Sequence, residues 1–281
     1  MHDLPSTLRK AAICLAEVSD TPRLDAELLM AHALGIARSQ MLLKQAELAV
    51  PDGFAALLDR RLRHEPVAYI TGHQAFWDLD LVVTPDVLIP RGDSETLIEM
   101  ALEGAVPSRV LDLGTGSGAL LLAALSAFPA ATGTGIDASQ AALGVASGNA
   151  ERLGFAPRSQ WLHRSWHDAN WSTDLGRFEL ILCNPPYVED DADLAPMVRL
   201  HEPHSALFAG AEGLDDYRIL IPRIPALLSP GGIAIFEVGH LQADAVHDLA
   251  STAGLSTEMR RDLAGKPRAL RFSLGIGDAN G

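Results

Sequence analysis

The chain has 281 residues, with 36 Asp and Glu against 22 Lys and Arg, a formal net charge of −14. That length supports a large core and two domains. The acidic balance argues against nonspecific nucleic-acid binding, which rests on basic patches, and two cysteines, Cys14 and Cys183, give no disulfide framework.

The first residues include Asp3 and Pro5 and no sustained apolar segment, so no signal peptide is expected. No run approaches the ~18 apolar residues of a membrane helix, and the expected location is the cytosol. None of the ten histidines forms a metal-site pair on a helix, so no metal is expected.

Residues 1–72 read as a small helical bundle. Pro22 after Thr21 is a cap followed by a first helical residue. Leu24, Leu28 and Ala31 recur on one face until Gly35 stops the helix. Pro51 opens another helix with an apolar stripe of Phe54, Leu57, Leu58 and Leu62. Arg60, Arg61 and Arg63 form a local basic cluster, read most simply as a solvated helix face. The texture then turns to β-type residues in 67–72 and 75–83, which predicts a hairpin joining two domains. Pro85 and Pro90 punctuate its exit.

Beyond residue 93 helices and strands alternate. Helices are predicted at 94–104, 118–127, 139–154, 214–228 and 241–253. Strands are predicted at 109–113, 132–137, 160–163, 178–183, 233–238, 256–261 and 268–274. This alternation predicts an α/β domain, a mostly parallel sheet with helices on both faces. Residues 188–212 read as one long irregular loop. Its Glu189, Asp190, Asp191 and Asp193 make either a solvated acidic loop or a lid over a substrate.

Three local motifs carry chemistry. Asp112-Leu113-Gly114-Thr115-Gly116-Ser117-Gly118 lies between a strand and a helix, where a glycine turn lets backbone N–H groups approach a ligand. The next strand ends in Asp137, the position from which a carboxylate holds a ribose; capping the following helix is its other reading, with Ser139 a competitor. The third motif, Asn184-Pro185-Pro186-Tyr187, follows the apolar run 178–183. Two prolines end that strand and hold the Asn extended, so a carboxamide stands where open sheets keep their ligands. It offers an acceptor and two donors to a planar amide or amino group. A surface turn is the plainer reading. Cys183, ending the strand, reads as a buried core thiol.

These motifs resemble class I S-adenosylmethionine-dependent methyltransferases. More narrowly, the chain resembles the PrmC/HemK family of protein-(glutamine-N5) methyltransferases. The resemblance also covers Glu65 to Gly72, Ile89-Pro90-Arg91, Asp93-Ser94-Glu95, His201-Glu202-Pro203, Gly213-Leu214-Asp215 and Phe236-Glu237-Val238-Gly239 with Gln242. It implies a doubly wound, seven-stranded Rossmann-like methyltransferase sheet at 89–281, a β-hairpin linker at 73–88 and a helical substrate-docking domain at 1–72. It implies S-adenosyl-L-methionine as cofactor, held by Gly114, Thr115, Gly116, Ser117, Gly118, Asp137, Trp166 and Asn184. Asn184, Pro185, Pro186 and Tyr187 would hold the substrate, with Asn184, Pro185 and Tyr187 catalytic. The implied substrate is the Gly-Gly-Gln glutamine of class 1 peptide-chain release factors, with no direct nucleic acid or membrane partner and a monomeric enzyme. Adenine-N6 methylation of DNA or RNA and glutamine methylation of a ribosomal protein are the alternatives, since both share the Asn-Pro-Pro-Tyr chemistry. A binding protein that has lost turnover is a further one. The chain departs from the family at Gly92, where Pro is usual, and at Ser165 and Pro267, where acidic residues are usual.

Overall fold

A computed structural model describes residues 3–261 and 265–275. The chain divides into two compact units. The first comprises Met1–His73 with Leu194–Glu202, and the second Gln74–Asp193 with Pro203–Gly281.

The first unit is helical: α1 (Leu4–Leu15), α2 (Pro22–Leu34), α3 (Arg38–Lys44), α4 (Phe54–Leu62) and α5 (Val67–Thr71). One more helix, α9 in chain order (Pro196–His201), joins them from far along the sequence. Asp3 caps α1 by accepting from the Ser6 N–H at 3.1 Å. Leu4, Leu8, Ala11 and Leu15 then fall on one face and meet Leu29, Met30, Met41, Phe54 and Ile70 in the core. Gly35, at φ 65°, ends α2.

The buried face of α2 includes the predicted Ala31 but otherwise differs from the predicted one. Leu24 is 39% exposed, and the core side carries Asp25, Ala26, Glu27, Leu29 and Met30. Its acids tolerate burial because arginines meet them. Arg61 bonds Asp25 at 2.8 Å and donates to the Val18 carbonyl at 3.0 Å. Glu27 accepts from Arg38 at 2.6 Å and from Arg23. Burial pushes the Glu27 carboxyl up, but the bonds and charges of Arg23 and Arg38 hold it below the ordinary glutamate range. The expected solvated cluster is corrected at Arg61, which is only 3% exposed; Arg60 pairs with Glu65, and Arg63, paired with Asp59, is exposed as expected.

Residues 67–71, expected as strand, are the helix α5. Pro66 starts it and the Thr71 hydroxyl donates back to the Val67 carbonyl at 3.0 Å. Burial of Ala68, Tyr69 and Ile70 outweighs local β preference here.

The hairpin of β1 (His73–Phe76) and β2 (Leu79–Val82) opens the second unit from Gln74 on, with Phe76, Leu79 and Leu81 in one core cluster. The Asn149 carboxamide accepts from the Val82 N–H at 2.8 Å and donates to its carbonyl at 2.9 Å. Asn149 belongs to α8 (Gln140–Leu153), which follows α6 (Glu95–Leu102) and α7 (Ala119–Ala127). The main sheet has seven strands: β3 (Arg109–Leu113), β4 (Thr132–Asp137), β5 (Ser159–His163), β6 (Phe178–Cys183), β7 (Leu228–Glu237), β8 (Leu255–Arg261) and β9 (Pro267–Leu274). Their order is β5-β4-β3-β6-β7-β9-β8, parallel from β5 to β7, with β9 antiparallel to both its neighbours. Apolar clusters cover both faces of this sheet.

Register places the site. Leu113 pairs with Ile136 of β4 and with Cys183 of β6. The next residues, Gly114, Asp137 and Asn184, therefore leave the sheet side by side at its carboxyl edge. This is the topological switch point, where the chain runs from β3 outward to β4 and β5 and then returns to β6 on the other side of β3, and crevices form there. Cys183 is fully buried, as expected.

Residues 188–212 are more ordered than predicted. They hold α9, a 3-10 turn (His204–Ala206) and a parallel bridge between Val188 and Phe208. Glu189, Asp190, Asp191 and Asp193 are exposed to solvent. The single helix expected at 214–228 is broken into α10 (Asp215–Leu220), a 3-10 turn (Ile221–Arg223) and α11 (Ile224–Leu227), because Pro222 and Pro225 remove backbone donors. The last helix among the described residues is α12 (Ala243–Thr252). Among the described residues, no helix is long and apolar enough to cross a membrane.

Candidate active site

The turn after β3 is built on the end of β4. The N–H groups of Gly114 and Thr115 both donate to the Ile136 carbonyl at 3.0 Å. Gly114 and Gly116 have φ of 73° and 54°, a region closed to most side chains. A Cβ at Gly114 would lie 2.9 Å from the Trp166 ring, so bare backbone faces the indole there.

Asp137 ties this turn to the next helix. Its Oδ2 accepts from the Gly116 N–H at 2.9 Å and its Oδ1 from the Ser139 N–H at 2.8 Å. Ser139, not Asp137, caps α8, by accepting from the Ala142 N–H. Burial raises the Asp137 pKa, opposed by the Ser139 and Gly116 bonds. Each oxygen keeps acceptor capacity for a ligand hydroxyl. Beneath the turn lies Asp112, 1% exposed. Thr115 donates to its Oδ2 at 2.6 Å, while Oδ1 has no hydrogen-bond partner among the described residues. Burial, with a lesser contribution from the Asp137 charge, pushes this carboxyl up to about 7, against the Thr115 bond.

Trp166 is fixed from α10. Its indole N–H donates to Asp216 Oδ1 at 2.6 Å, and His167 Nε2 stands 3.2 Å from the same oxygen. Burial raises the Asp216 pKa, opposed by Trp166 and His167.

After β6, Asn184 is half-buried and Pro185 and Pro186 are buried. Asn184 Nδ2 donates to Ser94 Oγ at 3.3 Å. Tyr187 turns its hydroxyl to Glu237 Oε1 at 3.0 Å, and its carbonyl accepts from Gln242 Nε2 at 2.8 Å. Burial and the Glu237 charge raise the Tyr187 pKa.

Gly114, Thr115, Gly116, Ser117, Asp137, Trp166, Asn184 and Pro186 line one cavity of about 730 Å³. Such a size is ordinary for a small-molecule site, roughly 300–1,000 Å³. Three predicted site residues are not on its wall: Gly118, Pro185 and Tyr187. Gly118 heads α7 under Trp161. Tyr187 is drawn off by Glu237. Sequence reasoning assigned no role to Ser94 and did not single out Asp216, both of which line the cavity. No local pattern marks either, since their partners lie 90 and 50 residues away.

Residues 6–72 match the family model for the PrmC N-terminal domain, and residues 93–202 the model for the methyltransferase small domain. The release factor glutamine methyltransferase of Rhodospirillum rubrum is 43% identical over 260 residues, covering 89% of this chain and 78% of that protein. The one from Caulobacter vibrioides is 40% identical over 264 residues, covering 89% of each chain. The chain belongs to the release factor glutamine methyltransferase family. A crystal structure of a methyltransferase from Pyrococcus furiosus, 18% identical, has a TM-score of 0.56 over 79% of this chain and all of that one, which shows a shared fold. The expected doubly wound, seven-stranded sheet is the one found.

The departures of this release factor glutamine methyltransferase family member sit in ordinary structure. Gly92 opens a 3-10 turn (Gly92–Ser94), and Pro267 begins β9. Ser165 Oγ accepts from the His167 N–H at 3.2 Å.

Proposed function

We propose that this enzyme transfers a methyl group from S-adenosyl-L-methionine to the side-chain amide nitrogen of the Gly-Gly-Gln glutamine in class 1 peptide-chain release factors. The observation that carries this reading is the convergence of Asn184, the glycine turn and Asp137 on one cavity. The relatives named for the same reaction support the substrate.

The donor set suits such a cofactor. Asp137 offers acceptors for ribose hydroxyls, Trp166 a face for a flat ring, and the turn at Gly114 and Gly116 close backbone approach. When bound, S-adenosyl-L-methionine supplies an electrophilic methyl on a sulfonium centre.

The chain's own residues act on the glutamine. An amide nitrogen is a poor nucleophile because its lone pair is delocalised into the carbonyl. Asn184 Oδ1 accepts one amide hydrogen, which orients the nitrogen and favours a localised lone pair. Orientation of this kind can supply roughly 7–11 kcal/mol of a barrier. Positive charge grows on that nitrogen during transfer, so an acceptor aimed at its hydrogen favours the transition state over the ground state. The methylated nitrogen is strongly acidic, so no dedicated base is needed beforehand. The Pro185 backbone carbonyl would accept the other amide hydrogen, and the proline ring holds the Asn184 backbone extended. Tyr187 would pack its ring against the planar amide while Glu237 holds its hydroxyl at 3.0 Å.

The test is transfer of labelled methyl from S-adenosyl-L-methionine to a purified class 1 release factor, beside that factor with its motif glutamine changed to alanine. Label on the intact factor alone is expected. Equal label on both would reject the glutamine assignment.

A further inference from the structure

Glu237, at the end of β7, is 1% exposed and is the hub of a hydrogen-bond chain that ends at Asn184. Ser94 Oγ donates to Glu237 Oε2. The Tyr187 hydroxyl donates to Oε1 at 3.0 Å. Asn184 Nδ2 donates to Ser94 Oγ at 3.3 Å. Ser94 itself is 3% exposed.

Each link dictates the next. An ionised carboxylate only accepts, so it claims the single hydroxyl proton of Ser94. Ser94 then has only lone pairs to offer Asn184. The carboxamide must therefore turn its NH₂ group to Ser94 and its Oδ1 away. Glu237 cannot rotate to release Ser94 without stranding the Tyr187 hydroxyl, and a stranded buried donor is costly. The Tyr217 hydroxyl, donating to the Glu237 backbone carbonyl at 2.7 Å, pins the strand end that carries the hub.

We propose that Glu237 and Ser94 are positioning residues that set the polarity of the Asn184 carboxamide, keeping its oxygen rather than its NH₂ group available to the cavity. This rests on the reading above, in which Asn184 Oδ1 accepts a substrate amide hydrogen. In the opposite sense the carboxamide would set donor against donor and forfeit that bond. The two oxygen- and nitrogen-bearing ends of Asn are nearly isosteric, so shape alone does not select between them. The Glu237 carboxyl, with a hydroxyl donor on each oxygen, does so through Ser94.

The experiment compares wild type with Ser94→Ala, Ser94→Thr and Glu237→Gln. The first readout needs no substrate: hydrogen exchange of the Asn184 side-chain amide by ¹⁵N NMR, its signal identified by loss in Asn184→Ala. The second is the split between kcat and KM for the release factor, with cofactor Kd and Tm measured alongside. In Ser94→Ala, exchange should quicken and kcat fall by about tenfold each, the equivalent of one hydrogen bond, with KM and cofactor Kd held within about twofold. Ser94→Thr, which keeps the hydroxyl, should restore both. Glu237→Gln can donate to Ser94 and free its proton, so it should resemble Ser94→Ala in both readouts. Unchanged amide exchange in Ser94→Ala would overturn the proposal. So would a fall in kcat that tracks a lowered Tm or raised cofactor Kd and is not rescued by threonine. If wild type labels no release factor while the exchange pattern holds, the relay stands and the substrate reading falls.

Discussion

Replacing Asp137 by Asn should weaken cofactor binding by about 30-fold, and the contacts show why. The carboxylate accepts one backbone N–H on each oxygen, Gly116 at 2.9 Å and Ser139 at 2.8 Å. Asparagine has one acceptor oxygen, so one of those N–H groups would face an NH₂ group. Losing a hydrogen bond to a charged acceptor costs about 1.5–3 kcal/mol, which lowers Tm in the free protein. Cofactor affinity changes for a second reason. A hydroxyl bonded to a charged acceptor gains about 1 kcal/mol over one bonded to a neutral acceptor. A ribose presents two hydroxyls, so the loss is about 2 kcal/mol, or ~30-fold in Kd. Isothermal titration with S-adenosylmethionine reads this directly. A control with an analogue lacking both ribose hydroxyls should bind wild type and variant alike. A Kd within about threefold of wild type would refute the ribose assignment; an equal loss with the control ligand would show that Asp137 acts only through the turn.

Asn184→Ala should lower kcat by at least about a hundredfold, as loss of a preorganised polar contact in an active site does, and change cofactor Kd far less; near-normal turnover would reject the mechanism. Arg61→Ala strands Asp25, which is 6% exposed, and should destabilise the helical unit by about 3–5 kcal/mol in denaturant melts. The double change Asp25→Leu with Arg61→Met should recover most of that, and a loss below about 1 kcal/mol in the single variant would deny the buried pair its structural role. Burial raises the folded Asp112 pKa to about 7 from 3.8, so its contribution to stability is fully present below the unfolded value and is lost as pH rises through about 7. The ligand-free wild type should therefore lose Tm from pH 5 to pH 8 relative to Asp112→Asn. Parallel profiles for the two proteins would contradict this.

What the sequence made legible was local. The β3–α7 turn is spelled by an apolar run, three glycines and an apolar helix, and the prolines after Cys183 end β6 where predicted. The features that escaped depend on distant partners. Asp25 looks like a solvent-facing residue until Arg61, 36 positions later, closes over it. Ser94 meets Glu237 across 143 positions, and no periodicity records such a meeting. The helix α5 was misread because its five residues carry β-type side chains whose burial decides their conformation. The α9 helix is only six residues long, too short for its apolar positions to show a period. The partner of the Tyr187 hydroxyl, Glu237, lies 50 positions away and is equally invisible in the motif.

The helical unit is not a contiguous stretch of polypeptide, and this bears on how it can be made or removed. Its final segment, Leu194–Glu202, follows the Asn184 turn, and His201 Nε2 lies 3.3 Å from the Arg63 carbonyl. During synthesis, the first 73 residues emerge well before the piece that completes their unit. A clone truncated after residue 73 would be an unfinished fold, and one lacking those residues would leave a six-residue helix without its companions. Either truncation would disturb the fold itself, so dissecting the two units calls for point substitutions in the intact chain.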